Sequence, residues 1–364
     1  MSLLATTCAR IAAPDEEVAA RTQLLLDDKT KPRRSLGRLE EIACRVAAMR
    51  GEERPALPEK AIVVMAADHG VAAEGVSAYP QKVTRQMLLN FVRGGAAINV
   101  LARHAGARLV VVDMGVAGDP VAATGIVSRR IAAGTRSFLH GPAMAHDEAV
   151  RALEAGISLA RELAASGVTL VGTGEMGIAN TTSASALLAV LADVPVERAT
   201  GRGTGVGDAA WRHKVEVIRG AIACNRPDAD DALDVLAKLG GFEIAGLAGL
   251  VLGAAAERVP VVLDGLIASA AALVAVRLAP RARGFLLASH RSVEPGHGPL
   301  LDALGLAPLL DLELRLGEGT GAALALGLVE ASLRILHEMA SFADAGVTDS
   351  GAGADGGAGA RGSA

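Results

Sequence analysis

The chain has 364 residues, 51% of them hydrophobic, 21% charged and only 2% aromatic, with a formal net charge of −4. That is an ordinary globular balance, and without a basic stripe or rings to stack on, nucleic acid is excluded as a partner. Cys8, Cys44 and Cys224 are odd in number, far apart and never in a C-x-x-C pair, which excludes a disulfide framework and a zinc site.

Residues 13–49 carry apolar positions Leu24, Leu25, Leu36, Leu39, Ile42 and Val46 at helical spacing, broken at Pro32. The acidic run Asp15, Glu16 and Glu17 is no export signal. Every long apolar stretch further on is interrupted by Gly, Arg, Asp or Pro, short of the ~20 residues a membrane helix needs. A cytoplasmic protein that does not enter a membrane is therefore expected. After the linker RPALP (54–58), buried strands are predicted at 61–66, 109–113, 168–171, 259–265 and 284–289. Each is a short continuous apolar run, and helical patterns lie between them. That alternation predicts an α/β fold, a Rossmann-like parallel sheet covered by helices. Ligands of such sheets bind beyond the carboxyl ends of the strands. Asp68, His69, Asp113, Glu175, Asp264, Ser289 and His290 stand at those ends. Residues 320–342 are again helical. Residues 343–364 are mostly Gly, Ala, Ser and Asp, with too little apolar surface to offset ordering entropy, and are predicted to be disordered.

Three glycine-rich segments carry the candidate chemistry. GTGEMGIANTT (172–182) follows a strand and precedes an apolar helix, the setting of a phosphate site built from backbone N–H groups and the helix dipole. Asn180, Thr181 and Thr182 add side-chain donors, although plain helix capping also uses such residues. Capping does not need Glu175, which suits ribose hydroxyls. GRGTG (201–205) lacks the Gly-Lys-Ser/Thr ending of a P-loop and a complete dinucleotide fingerprint. Lys214 downstream either neutralises phosphate or is a solvated surface lysine. LGEGTG (316–321) sets Glu318 between glycines just before a helix. The helix terminus lowers its pKa while burial raises it, and it is either a general base or a cap. Tyr79, the only tyrosine, stands with Ser77 and Gln86 in a stretch that can line a flat aromatic pocket or form a surface turn. Ser289-His290 lacks the G-x-S-x-G elbow of a hydrolase, and Asp68-His69 lacks a third ligand for a metal.

Taken together, these motifs resemble those of the nicotinate-nucleotide–dimethylbenzimidazole phosphoribosyltransferases, which assemble the lower ligand of cobalamin. The matching segments are SLGRLE (35–40), AADHGV (66–71), GVSAYPQKVTRQM (75–87), GTGEMGIANTT (172–182) and GRGTGV (201–206). LGGFEIAGLAG (239–249), VVLDG (261–265), SHRSVEPGH (289–297) and RLGEGTGAALAL (315–326) continue them in order. The resemblance implies that nicotinate mononucleotide passes its ribosyl phosphate to 5,6-dimethylbenzimidazole, giving α-ribazole 5′-phosphate and nicotinate with inversion at C1′. It implies Glu318 as the base that takes the benzimidazole N–H proton. It assigns ribose and phosphate to Gly174, Glu175, Gly177, Asn180, Thr181, Thr182, Gly201, Arg202, Gly203 and Lys214. Ser77, Tyr79, Gln86 and Leu316 would form the benzimidazole pocket. No metal and no redox cofactor is implied. The family is homodimeric, with a small helical domain made from both chain ends. Here that corresponds to 1–58 and to 299–342, which carries the catalytic loop, around a core of 59–298.

One departure stands out. The family usually reads Lys-Pro-x-Gly before SLG, and this chain reads Lys31-Pro32-Arg33-Arg34. Two rival readings remain: a hydrolase in which water replaces the aromatic base, and a nucleotide-binding regulator. The pocket residues argue against the first and the presence of Glu318 against the second.

Overall fold

The computed structural model describes residues 2–203 and 207–348. The apolar runs form six strands: β1 (Lys60–Ala67), β2 (Arg108–Gly115), β3 (Ile126–Ser128), β4 (Leu170–Met176), β5 (Val261–Leu263) and β6 (Leu286–Ala288). They make one sheet in the order β3-β2-β1-β4-β5-β6, every pair parallel. Parallel neighbours need crossovers, and helices supply them everywhere except between β2 and β3, where residues 116–125 form none. α1 (Leu3–Arg10), α2 (Glu16–Asp27) and α3 (Arg38–Arg50) precede the sheet. α4 (Lys82–Arg93) and α5 (Ala97–His104) link β1 to β2, and α6 (His146–Ala165) links β3 to β4. Between β4 and β5 lie α7 (Asn180–Leu191), α8 (Val196–Ala199), α9 (Asp208–Asn225), α10 (Ala232–Leu239) and α11 (Phe242–Ala256). α12 (Leu266–Leu278) crosses to β6, and α13 (His297–Leu304), α14 (Thr320–Glu338) and α15 (Phe342–Ala345) follow.

The α/β expectation holds, with one strand added and strand bounds moved: β5 and β6 are shorter than the apolar runs at 259–265 and 284–289, and β4 is displaced towards its carboxyl end. β3 is a three-residue edge strand that the apolar pattern misses. β4 extends through Gly172, Thr173, Gly174 and Glu175, a stretch whose glycines read as a loop. From β1 the chain steps outward to β2 and β3, then returns to the other side for β4, β5 and β6. The strand order therefore reverses between β1 and β4, and a crevice opens there at the carboxyl ends. α11 is buried along Phe242–Ala255, as a helix apolar on all sides must be. Among the described residues no helix is long and apolar enough to cross a membrane.

Two compact units are present. The first comprises the sheet, Pro58–Gly327, with the residues up to Pro14; the second comprises Asp15–Leu57 and the described residues from Leu328. Within the second, Lys29 Nζ donates to Met339 O (2.7 Å), Thr30 N to Ala340 O (3.1 Å) and Phe342 N to Asp28 O (3.0 Å). Buried Lys31 and Glu40 pair at 2.8 Å. Arg34, standing where the family pattern has glycine, adopts φ +58°, the left-handed region that glycine favours. The non-glycine residue bears the strain of that conformation. Of the predicted disordered segment, residues 349–364 lie outside the described residues; 343–345 instead belong to α15 (Phe342–Ala345).

Candidate active site

The site grows from the ends of β1, β4, β5 and β6. A Cβ on Gly174 would lie 2.4 Å from Glu318 O, so only glycine lets the 317–321 loop pack on the end of β4. The next residue, Glu175, is 7% exposed. Asn180 Nδ2 donates to its Oε2, and the Glu318 N–H also points to its carboxylate. Burial, reinforced by Asp264 and Glu243, outweighs these donors and pushes Glu175 up to about 8.

Glu318 arrives from the other side. Gly317, Glu318 and Gly319 have φ of +82°, +62° and +94°. A left-handed conformation costs a non-glycine residue roughly 1–2 kcal/mol, and such strain is characteristic of functional loops. Glu318 is 7% exposed, and its Oε2 has no hydrogen-bond partner among the described residues. Burial raises its pKa; the Ile98 N–H at the start of α5 opposes this and Asp264 adds to it. The result is a desolvated carboxylate of enhanced basicity with one oxygen unoccupied.

Both carboxylates line a cavity of about 540 Å3, a size typical of small-molecule sites. One wall is apolar: Tyr79, Val83, Met87, Ile178 and Leu316. Tyr79 and Leu316 are 54% and 57% exposed, at the open side. Val83 and Met87 are one turn apart on α4 and present one face. Another corner is polar. Lys214, 1% exposed on α9, donates to Thr181 Oγ1 at 2.8 Å. Burial pulls it down to about 8, with Glu294 acting the other way. Gly203 is close to both Thr181 Oγ1 and Lys214 Nζ. Glu294 and Arg315 border this corner and a neighbouring cavity of about 500 Å3.

Buried polar pairs support the floor. His69, following β1, bonds Glu243 Oε1 through Nε2 (2.6 Å) and Ser183 Oγ through Nδ1 (2.9 Å), all fully buried. A Cβ on Gly177 would lie 2.5 Å from Ala67 O and 3.2 Å from Glu243 Oε1, so this pair sits directly behind the turn into α7. Asp264 receives three backbone N–H groups from the start of α14.

Of the residues expected to bind nucleotide, Glu175, Gly177, Asn180, Thr181 and Gly203 line the main cavity. Gly201 and Arg202 line the neighbouring one with Gly203, and Arg202 pairs with Asp208. Lys214 stands behind Thr181. Gly174 and Thr182 are packed beneath the surface. Tyr79 and Leu316 line the wall, whereas Ser77 and Gln86 do not; Ser77 Oγ instead accepts the Tyr79 N–H at 3.3 Å. Thr204 and Gly205 lie outside the described residues. His290, lining the cavity at the end of β6, was marked by its strand-end position; Val83, Met87, Glu294 and Arg315 fall within the matching segments but were given no role.

A phosphoribosyltransferase family model matches residues 11–347. The nicotinate-nucleotide–dimethylbenzimidazole phosphoribosyltransferase of Chloroflexus aggregans is 56% identical over 349 residues, covering 96% of this chain and 99% of that protein. Its counterpart in Desulforamulus reducens is 55% identical with the same coverage. The crystal structure of CobT from Thermus thermophilus is similar with a TM-score of 0.87 at 51% identity, covering 91% of this chain and 99% of that one.

Proposed function

Since the chain belongs to the nicotinate-nucleotide–dimethylbenzimidazole phosphoribosyltransferase family, we propose that it transfers the phosphoribosyl group of nicotinate mononucleotide to 5,6-dimethylbenzimidazole, with inversion at C1′ and Glu318 as general base. The observation that carries the base assignment is that Glu318 lines the cavity while its buried Oε2 has no hydrogen-bond partner among the described residues. The benzimidazole lies against Tyr79, Val83, Met87 and Leu316. Its N–H proton passes to Glu318 while the other ring nitrogen attacks C1′. The C1′–N bond to the pyridinium breaks, and its electron pair leaves a neutral ring nitrogen on nicotinate, so no acid is needed there.

Ribose and phosphate occupy the corner made by Gly174 to Thr182, Gly201 to Gly203 and Lys214. Incoming phosphate favours the charged form of Lys214, whose own burial disfavours it. Glu175, neutral at pH 7 by its raised pKa, contacts the ribose hydroxyls without adding charge beside the phosphate. Base catalysis contributes ~10²–10⁴-fold; holding two flat rings on opposite faces of one ribose supplies much of the rest. The family resemblance extends the proposal to a cytoplasmic homodimer and to a step in assembling the cobalamin nucleotide loop.

The test is to mix purified protein with nicotinate mononucleotide and 5,6-dimethylbenzimidazole and to identify products by mass and anomer-sensitive NMR. The α-riboside phosphate with released nicotinate is the expected outcome. Nicotinate released without the benzimidazole would make the enzyme a hydrolase. Binding without turnover, whatever aromatic base is supplied, would make it a regulator.

A further inference from the structure

We propose that Asp264, at the end of β5, is the positioning residue of the catalytic loop, gripping the start of α14 so that Glu318 is held over the cavity. Its two oxygens take three backbone donors: Oδ2 accepts from Gly319 N (3.1 Å), and Oδ1 from Gly321 N (2.8 Å) and Ala322 N (3.2 Å). These donors flank Glu318 on its C-terminal side, in a loop where three consecutive residues have positive φ. A loop so strained does not keep that shape by propensity, and needs outside contacts to impose it. Asp264 is itself fixed: its N–H donates to Thr173 Oγ1 (3.1 Å), and its carbonyl accepts from Ser289 Oγ (3.3 Å). Burial of this 1% exposed carboxyl raises its pKa, and the three N–H groups it receives oppose that rise by favouring the anion.

The charged neighbours bear on the same role. From β6, His290 faces Asp264 and favours its ionised form. The His290 ring also packs so closely on the loop that a Cβ on Gly321 would meet its Nδ1 at 1.9 Å. From β4 and from the loop, Glu175 and Glu318 both feel the Asp264 charge, which raises their pKa values. Glu243 reaches Glu175 from α11, and the Ile98 N–H reaches Glu318 from α5. Asp264 thereby places the base and keeps it basic without touching substrate.

This role rests on Glu318 being the base. The test is Asp264→Asn, which keeps Oδ1 as an acceptor but loses the charge and the acceptor for Gly319. Misplacing a catalytic group by about 1 Å costs on the order of 10²-fold. We expect kcat to fall by about that factor, with the KM for nicotinate mononucleotide unchanged. The acid limb of the pH–kcat profile should move to lower pH, because a like charge beside Glu318 is gone. Wild-type kcat, a loss confined to KM, or a fall in kcat with the acid limb unmoved would each overturn the proposal. If thermal melts show Asp264→Asn unfolded, Thr173→Val removes one anchor of Asp264. It should lower kcat roughly 3–10-fold with KM kept, and wild-type kcat there overturns the proposal. Glu318→Gln run alongside separates the two ideas. Turnover retained in Glu318→Gln refutes the base itself; an inactive Glu318→Gln beside a fully active Asp264→Asn refutes only the positioning role.

Discussion

Replacing Glu175 by Gln should stabilise the unliganded protein, and by an amount that depends on pH in a defined sense. Burial raises this carboxyl from 4.5 to about 8. Between those values the folded protein retains a proton that the unfolded chain releases. Its contribution to stability is therefore complete below about pH 4.5 and is lost as pH rises through about 8. The difference corresponds to about 5 kcal/mol at alkaline pH. Gln cannot ionise, so the variant escapes that loss while its carbonyl still accepts a hydrogen bond from Asn180. For domains of this size 1 kcal/mol moves Tm by roughly 2–4 °C. Thermal unfolding followed by circular dichroism from pH 5 to pH 9 at constant ionic strength is the assay. The gain of the variant over the wild type should be small near pH 5, grow through neutrality and level off above pH 8. A Tm difference that is flat across this range would show that Glu175 titrates normally, and the account of a neutral carboxyl at the ribose would fail. The variant should lose nucleotide affinity, the usual exchange of function for stability at such sites.

Glu318→Gln should lower kcat by ~10²–10⁴-fold while calorimetric binding of nicotinate mononucleotide persists; normal turnover would refute the base assignment. Lys214→Met should raise the nucleotide KM by roughly 10–100-fold through loss of a charge-assisted hydrogen bond, with kcat little altered. In the wild type that KM should climb above about pH 8, where buried Lys214 loses its proton in the free enzyme, and a flat KM would remove Lys214 from the phosphate site. Arg34→Gly should raise stability by about 1 kcal/mol through relief of the left-handed backbone, read as a higher denaturant midpoint with unchanged turnover.

The sheet was legible because a strand buried on both faces leaves a continuous apolar run, as in β1 and β2. β3 left no such trace, because three partly exposed residues at a sheet edge need no apolar code. The carboxyl half of β4 misled for a different reason. Gly172 and Gly174 suggest a turn, yet they are strand residues whose missing side chains admit α14 and the loop before it. The glycine signal was sound, but it reported close packing rather than a bend. Only the approach of a loop from far along the chain makes the difference, and a local pattern does not encode that.

The same distinction runs through the site. Glu318 could be singled out because a carboxylate between glycines is poor helix and poor strand, so local propensity offers no reason for it. Glu175 stood out likewise, since a cap does not need it. Val83 and Met87 carry no such conflict: on an amphipathic helix they read as ordinary core, and only the cavity shows that they face it. Asp264 and His69 were marked by position at strand ends but not by function. Their meaning lies in partners far away in sequence, the α14 terminus for one and Glu243 for the other. Groups placed to react tend to violate local rules, which makes them visible in sequence. Groups that hold them satisfy hydrogen bonds and packing across the fold, and become identifiable only when the chain has brought both ends of each contact together. Asp264→Asn therefore asks whether a residue that breaks no local rule nonetheless controls the one that does.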